Sequence, residues 1–258
     1  MFRVTAALTG SFLLATPALA MPLTEWGTTA QASTADCISS CTNVDFGPPS
    51  GGPMQSSAAT SLTDTKGSAA AAAALDPGSG IATPLLRAEA FSKSSLGSAF
   101  GTAFGVEGYT NTSGSVQSYT LNILLEAFVG DLGAGDGKVT ADVIAWRTAN
   151  FFFSSDRATL LFEASATIVD EAQLLVDLSE IPSANGSVSF TLDPGESVYV
   201  WARLKADARR DMSFADAFST LTTSFTDPTG LAAASLPEPG PLALLAGAAL
   251  GLAGGRRR

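Results

Sequence analysis

Histidine is absent from all 258 residues, and with it every histidine-based triad, imidazole-ligated metal site and imidazole proton shuttle. Cysteine is nearly absent. Cys37 and Cys41 are the two thiols, in a C-x-x-x-C arrangement. Without histidine or a third thiol they cannot complete a tetrahedral zinc site, and the spacing departs from the C-x-x-C of redox proteins. In an oxidising compartment the pair is expected to form a local disulfide, closing a loop too small to restrict much unfolded chain. Charge is scarce at 15% and leans acidic, with 24 Asp and Glu against 14 Lys and Arg. Phosphate backbones repel such a chain, so nucleic acid is not an expected partner. No serine has a histidine to activate it and no S-x-x-K motif occurs, so neither catalytic residues nor a cofactor nor a metal is expected.

What is present is concentrated at the two ends. Residues 1–20 carry Arg3, a short apolar run from Val4 to Ala15, and then Pro17-Ala18-Leu19-Ala20. Small residues at Ala18 and Ala20 occupy the −3 and −1 positions of a cut after Ala20, the pattern of a secretory signal read by the Sec translocon and signal peptidase. At the other end, Leu236-Pro237-Glu238-Pro239 leads into Leu242–Gly255, 14 apolar or small residues without charge, and then Arg256, Arg257 and Arg258. Each proline fixes its own φ and disfavours helix before it, so the motif is extended. The apolar segment as a helix spans about 21 Å, short of a bilayer core of about 30 Å. The arginines would be held on the cytoplasmic side. A single short transmembrane helix of this kind suits a temporary stop better than a permanent anchor.

This three-part end, Leu236-Pro237-Glu238-Pro239 with the apolar segment and the arginine cluster, closely resembles the PEP-CTERM sorting domain of surface proteins in Gram-negative bacteria. The resemblance covers residues 235–258. It implies that an exosortase, a membrane-embedded transpeptidase-like enzyme, recognises Pro237, Glu238 and Pro239 and removes the tail. Arg256–Arg258 would be the cytoplasmic stop. It further implies transient residence in the inner membrane, a final place at the cell surface or outside the cell, and a structural or matrix role linked to exopolysaccharide and biofilm. Leu236 stands where valine is common, and Gly240-Pro241 adds a break before the helix. Ten of the basic residues and all 24 acidic ones lie between Met21 and Pro241, leaving that stretch with a formal charge of −14.

Residues 21–80 contain GPPSGGP at 47–53, many Ser and Thr, and six alanines at 69–74. With few large apolar side chains to offset ordering entropy, this segment is expected to be a poorly ordered spacer. Residues 81–230 differ, because their apolar pattern has period two. Runs at 85–91, 98–109, 116–129, 138–146, 158–169, 173–179, 187–192, 197–206 and 219–226 predict about nine strands. Turn-rich stretches separate them, at DLGAGDG (131–137), SANG (183–186), DPG (193–195) and DPTG (227–230). The expected fold is all-β, an antiparallel, jelly-roll-like β-sandwich. Stretches 193–202 and 215–227 resemble, more loosely, the last strands of sandwich-like ectodomains that precede such tails.

Three sets of side chains could carry chemistry. Tyr199, Trp201 and Arg203 share one face of a predicted strand, with Trp146 as a neighbour, and exposed they would form a carbohydrate-binding platform. Asp131 and Asp136 in the glycine-rich loop suit Ca²⁺, as in a calcium-stabilised adhesive protein, although the alternating ligands of an EF-hand are missing. Glu126 and Glu163 could be imagined as a glycosidase pair, but nothing in the sequence sets their separation.

Overall fold

The structure is a computed structural model describing residues 26–37, 41–77, 80–130, 136–147, 153–154, 156–164, 167–177, 183–210 and 212–235. Five strands come first: β1 (Gly27–Cys37), β2 (Cys41–Phe46), β3 (Ser50–Pro53), β4 (Ser57–Thr63) and β5 (Gly67–Asp76). Next come β6 (Thr83–Ser92), β7 (Gly97–Asn111), β8 (Gln117–Gly130) and β9 (Asp136–Trp146). Helix α1 (Arg157–Ala164) precedes β10 (Ile168–Asp177), β11 (Ser183–Leu192), β12 (Ser197–Arg209), β13 (Phe214–Phe225) and the short β14 (Leu231–Ala233).

Two antiparallel sheets face each other. The first has the order β10-β9-β12-β7-β1-β2, with β3 on β1 and β14 on β7; the second is β11-β8-β13-β6-β5-β4. Within β6–β13 the chain crosses between sheets at nearly every connection, and the orders β10-β9-β12-β7 and β11-β8-β13-β6 are those of two interlocked Greek keys, a jelly roll. Eight of the nine runs expected as strands lie on strands of this unit.

The first half of the chain corrects the sequence reading. Residues 27–76, expected to be a poorly ordered spacer, supply strands to both sheets and widen the jelly roll on one side. The reason is small side chains on both surfaces of a strand. In β5, Ala69, Ala71 and Ala73 enter the core while Ala70, Ala72 and Ala74 face outward, so no period is visible. Opposite them β7 contributes Ala99, Gly101 and Ala103, and a Cβ placed on Gly101 would lie 2.5 Å from the Ala70 carbonyl oxygen and 2.7 Å from that of Glu89. The sheets approach backbone to backbone there, so little apolar volume is needed to fill the gap. At the other end the core is aromatic: Tyr109 meets Phe225 edge-on at 4.9 Å between ring centres and donates its hydroxyl to the Ala82 carbonyl at 2.8 Å.

Two local expectations are also overturned. Residues 157–164, within a run expected as a strand, form α1, started by Asp156, whose Oδ2 accepts from the Thr159 N–H at 2.9 Å. SANG, expected as a turn, lies inside β11 because Ser183–Gly186 continue the ladder along Glu126–Ile123 of β8. The DPG and DPTG stretches do turn, with Gly195 at φ 79° and Gly230 at φ 77°, a conformation that glycine adopts without steric cost. Among the described residues no helix is long and apolar enough to cross a membrane. The expected helix at 242–255, like residues 1–20, lies outside the described residues.

Candidate functional site: the face of the first sheet and the C-terminal junction

Alternation in β12 sends Val198, Val200, Ala202 and Leu204 inward and Tyr199, Trp201 and Arg203 outward, as the sequence indicates. Trp146 does join them, with its ring centre 5.3 Å from that of Tyr199. The platform, however, is not open to a ligand. Tyr199 is 3% exposed, while Trp146 and Trp201 are fully buried, because Phe153, Leu160 and Leu161 pack over them in a second apolar cluster with Phe104, Val106 and Ile144. The Trp201 indole N–H donates to the Ser154 carbonyl at 2.8 Å. Sequence periodicity finds the shared face but cannot show that Phe153, Leu160 and Leu161 cover it.

Arg203 serves this cover instead of a ligand. It stands opposite Asp142 of β9, itself opposite Gln173 of β10. Asp142 Oδ2 accepts from Arg203 at 2.7 and 3.1 Å, Oδ1 accepts from Gln173 at 2.8 Å, and Arg157 of α1 places Nε 3.0 Å from Oδ1. The carboxylate is fully buried, accepts hydrogen bonds from β12 and β10 and forms an ion pair with Arg157 that ties α1 to the sheet.

The outer face of the second sheet is open. Ser61, Ala70, Glu89, Asp216 and Phe128 form one row across β4, β5, β6, β13 and β8. Phe128 is 64% exposed and rests on Phe214 with ring centres 5.4 Å apart. Burial, then the neighbouring Asp216, raises the Glu89 carboxyl above its ordinary range. A shallow trough of about 400 Å³ runs beside it over Ala59, Ala70, Ala72 and Arg87. Phe128 sits in the alternating run of β8 and could have been singled out as an aromatic among Asn122, Leu124 and Glu126 on the polar side of that strand.

The remaining sequence candidates separate. Glu126 lies on this open face of the second sheet, whereas Glu163 belongs to α1, whose Leu160 packs on the outer face of the first; the Glu163 side chain lies outside the described set. Residues 131–135, with Asp131, lie outside the described residues; Asp136 starts β9 opposite Arg209. Cys37 and Cys41 are register partners at the end of β1 and β2, while their side chains lie outside the described set. Among the described residues no group of three or more His, Cys, Asp or Glu could hold a metal ion.

Strands β1 and β14 converge along β7 on one residue that the sequence did not mark, Glu107. Gly27 of β1 pairs with Val106, while β14 runs beside the next stretch of β7, Ala233 opposite Tyr109 and the Ala234 N–H donating to the Gly108 carbonyl at 2.9 Å. Ser235 then donates its N–H to Glu107 Oε1 at 3.1 Å, and the Gly108 N–H donates to the same oxygen at 2.9 Å. Glu107 is fully buried, and neither its Oε2 nor the Ser235 hydroxyl makes a well-formed hydrogen bond. Burial drives the carboxyl up to about 7, outweighing the nearby Ser235 side chain and the N–H groups of Ser235, Gly108 and Ala234, which favour its charged form. Pro237, Glu238, Pro239 and Arg256–Arg258 lie outside the described residues, as do Ala18 and Ala20.

No family model matches the chain, and no curated protein matches it. Among solved structures, a chain described under the structural basis for the promiscuous specificity of carbohydrate-binding modules from the β-sandwich superfamily aligns with 80% of this chain and 95% of its own. The identity is 7% and the TM-score 0.24, a likeness that carries no argument about fold or ligand.

Proposed function

We propose that this protein is a surface or matrix protein of a Gram-negative envelope, exported through the Sec route and sorted by an exosortase that recognises Pro237-Glu238-Pro239. The observation that carries the reading is the order of parts in the chain. After β14 (Leu231–Ala233), the last strand among the described residues, the sequence carries the proline motif, an uncharged apolar segment and three arginines. This order of parts parallels other C-terminal processing signals, in which a hydrophobic tail is removed and the mature protein spans nothing. The body contributes bulk and an acidic, soluble surface, and no chemistry is assigned to it. Replacing Pro237, Glu238 and Pro239 together by alanine tests the reading in native cells. The variant should keep its tail and stay with the inner membrane, whereas equal loss of the tail from variant and wild type would refute it.

A second reading, contact with exopolysaccharide, has an observation of its own. It is not the buried Tyr199 and Trp201 but the exposed Phe128 beside Glu126 and Asp216 on the open sheet, where an aromatic ring can stack on the C–H face of a sugar and polar groups can meet its hydroxyls.

A further inference from the structure

We propose that the open face of the second sheet binds a polysaccharide bearing free amino groups, of the glucosamine type. Phe128 and Phe214 form its aromatic floor, and Glu126, Asp216 and Glu89 receive its ammonium groups. The inference deepens the exopolysaccharide reading and rests on it.

Alternation gathers these side chains on one surface. In β8, Leu121, Ile123, Leu125 and Ala127 enter the core, so Glu126 and Phe128 point outward. Asp216 of β13 stands opposite Phe128 on one side and Glu89 of β6 on the other. The next row sets Phe214 between Gly130 and Phe91. Gly130 lets the Phe214 ring lie across β8, since a Cβ there would come within 2.5 Å of its Cζ and 2.8 Å of a Cε. Phe128, 64% exposed, rests against that ring with centres 5.4 Å apart and planes at 38°. One aromatic face is thus held in place and left bare.

The rim selects the occupant. Directly opposite residues have Cβ atoms about 4.5–5.5 Å apart, and alternate residues of a strand lie about 6.8 Å apart. Asp216 and Glu126 therefore flank Phe128 within reach of the substituents of one stacked sugar. An ammonium there gains twice, from the negative face of the ring and from charge-assisted hydrogen bonds to the carboxylates. Neither row contains a basic residue among the described strands, and Arg87, two residues from Glu89, bounds the trough on the far side. Burial first, and then Asp216, holds the Glu89 carboxyl above its ordinary range, and a bound cation would favour its charged form. A polymer of uronic acids would bring like charge to this rim and to a stretch, residues 21–241, of formal charge −14. A basic peptide offers the ammonium without the C–H face that the bare ring stacks on.

A polymer also needs a track. Toward the other end of β8 the same face carries cross-strand polar pairs, Ser118 with Thr191 at 2.8 Å, Thr120 with Ser189 at 3.1 Å and Asn122 with Thr226 at 2.9 Å. From Ser118 to Phe128 the strand runs about 34 Å, room for several sugar residues.

Calorimetric titration of the full chain in non-ionic detergent, at a mildly acidic pH that keeps the amines protonated, tests the assignment. The probes are a glucosamine hexamer, its N-acetylated counterpart, a glucose hexamer and hexalysine. The glucosamine hexamer should bind more tightly than the other three by about tenfold or more. Phe128→Ala should weaken it by a similar factor and Glu126→Gln by several-fold. Glu171→Gln, on the outer side of the first sheet, should leave it unchanged. Equal binding of the three sugars, lost in Phe128→Ala, overturns the amine assignment and leaves the glycan reading standing. Absence of binding by every sugar overturns both. Hexalysine binding as tightly as the glucosamine hexamer, or Glu171→Gln weakening it as much as Glu126→Gln, marks diffuse attraction to an acidic chain and overturns the site. Unchanged affinity in Phe128→Ala overturns it as well.

Discussion

Replacing Asp142 by alanine would remove the carboxylate that accepts from Arg203 and Gln173 and ion-pairs with Arg157, leaving Arg157 its half-exposed partner Glu171. Arg203 and Arg157 are 16% and 27% exposed at their side chains, so both are largely desolvated once the carboxylate is gone. Breaking a buried ion pair from one side costs about 3–5 kcal/mol, and the residual exposure of the arginines favours the lower end, about 3 kcal/mol. For a domain of this size each kcal/mol moves the midpoint by roughly 2–4 °C, giving a fall of about 6–12 °C by calorimetry. The loss should also have a location. Because Arg157 ties α1 to the sheet and Ser154 accepts from Trp201, the variant should make tryptophan fluorescence more accessible to acrylamide before global unfolding. Substituting Asp142, Arg203 and Arg157 together with apolar residues of similar volume should recover much of the stability, since such replacements are often neutral or stabilising. A midpoint for Asp142→Ala within about 2 °C of wild type, the shift expected from less than 1 kcal/mol, would refute the claim that this carboxylate holds the cover in place.

Two further outcomes follow from burial and close approach. Trp201→Ala should destabilise by about 3–5 kcal/mol in denaturant titration without changing retention on immobilised polysaccharide, whereas Phe128→Ala should leave stability within about 1 kcal/mol and abolish any retention; the reverse pattern would restore the β12 platform. Gly101→Val should cost about 3 kcal/mol or more, beyond ordinary overpacking, because its side chain would meet the Ala70 and Glu89 carbonyls; an unchanged denaturation midpoint would contradict the thin core.

The sandwich was legible wherever large and small or polar and apolar residues alternate. Ser187–Leu192 and Ser197–Ala206 gave both the strands and the correct division of faces. It was illegible where alanine serves both faces: Ala69–Ala74 carries no period, and its place in β5 follows from the glycine and alanine of β7 across the gap, a pairing distant in sequence. Helix α1 left a readable sign in Asp156 followed by Thr159, the spacing of an N-cap, but the apolar run Leu160-Leu161-Phe162 concealed it. Tyr199, Trp201 and Arg203 were placed on the right face and given the wrong neighbour, because cover from another part of the chain is a tertiary fact. Glu107 gave no sign at all. One glutamate in an otherwise uncharged strand is ordinary until β1 and β14 are seen to converge on it.

The most direct measurement is the intact mass of the mature protein from native cells, compared with the same protein from a strain lacking the exosortase. The sorting account predicts loss of the segment beyond the Pro237-Glu238-Pro239 region only where the enzyme is present, with the residues through Ser235 kept. A full-length C-terminus in both strains, or its loss in both, would contradict it.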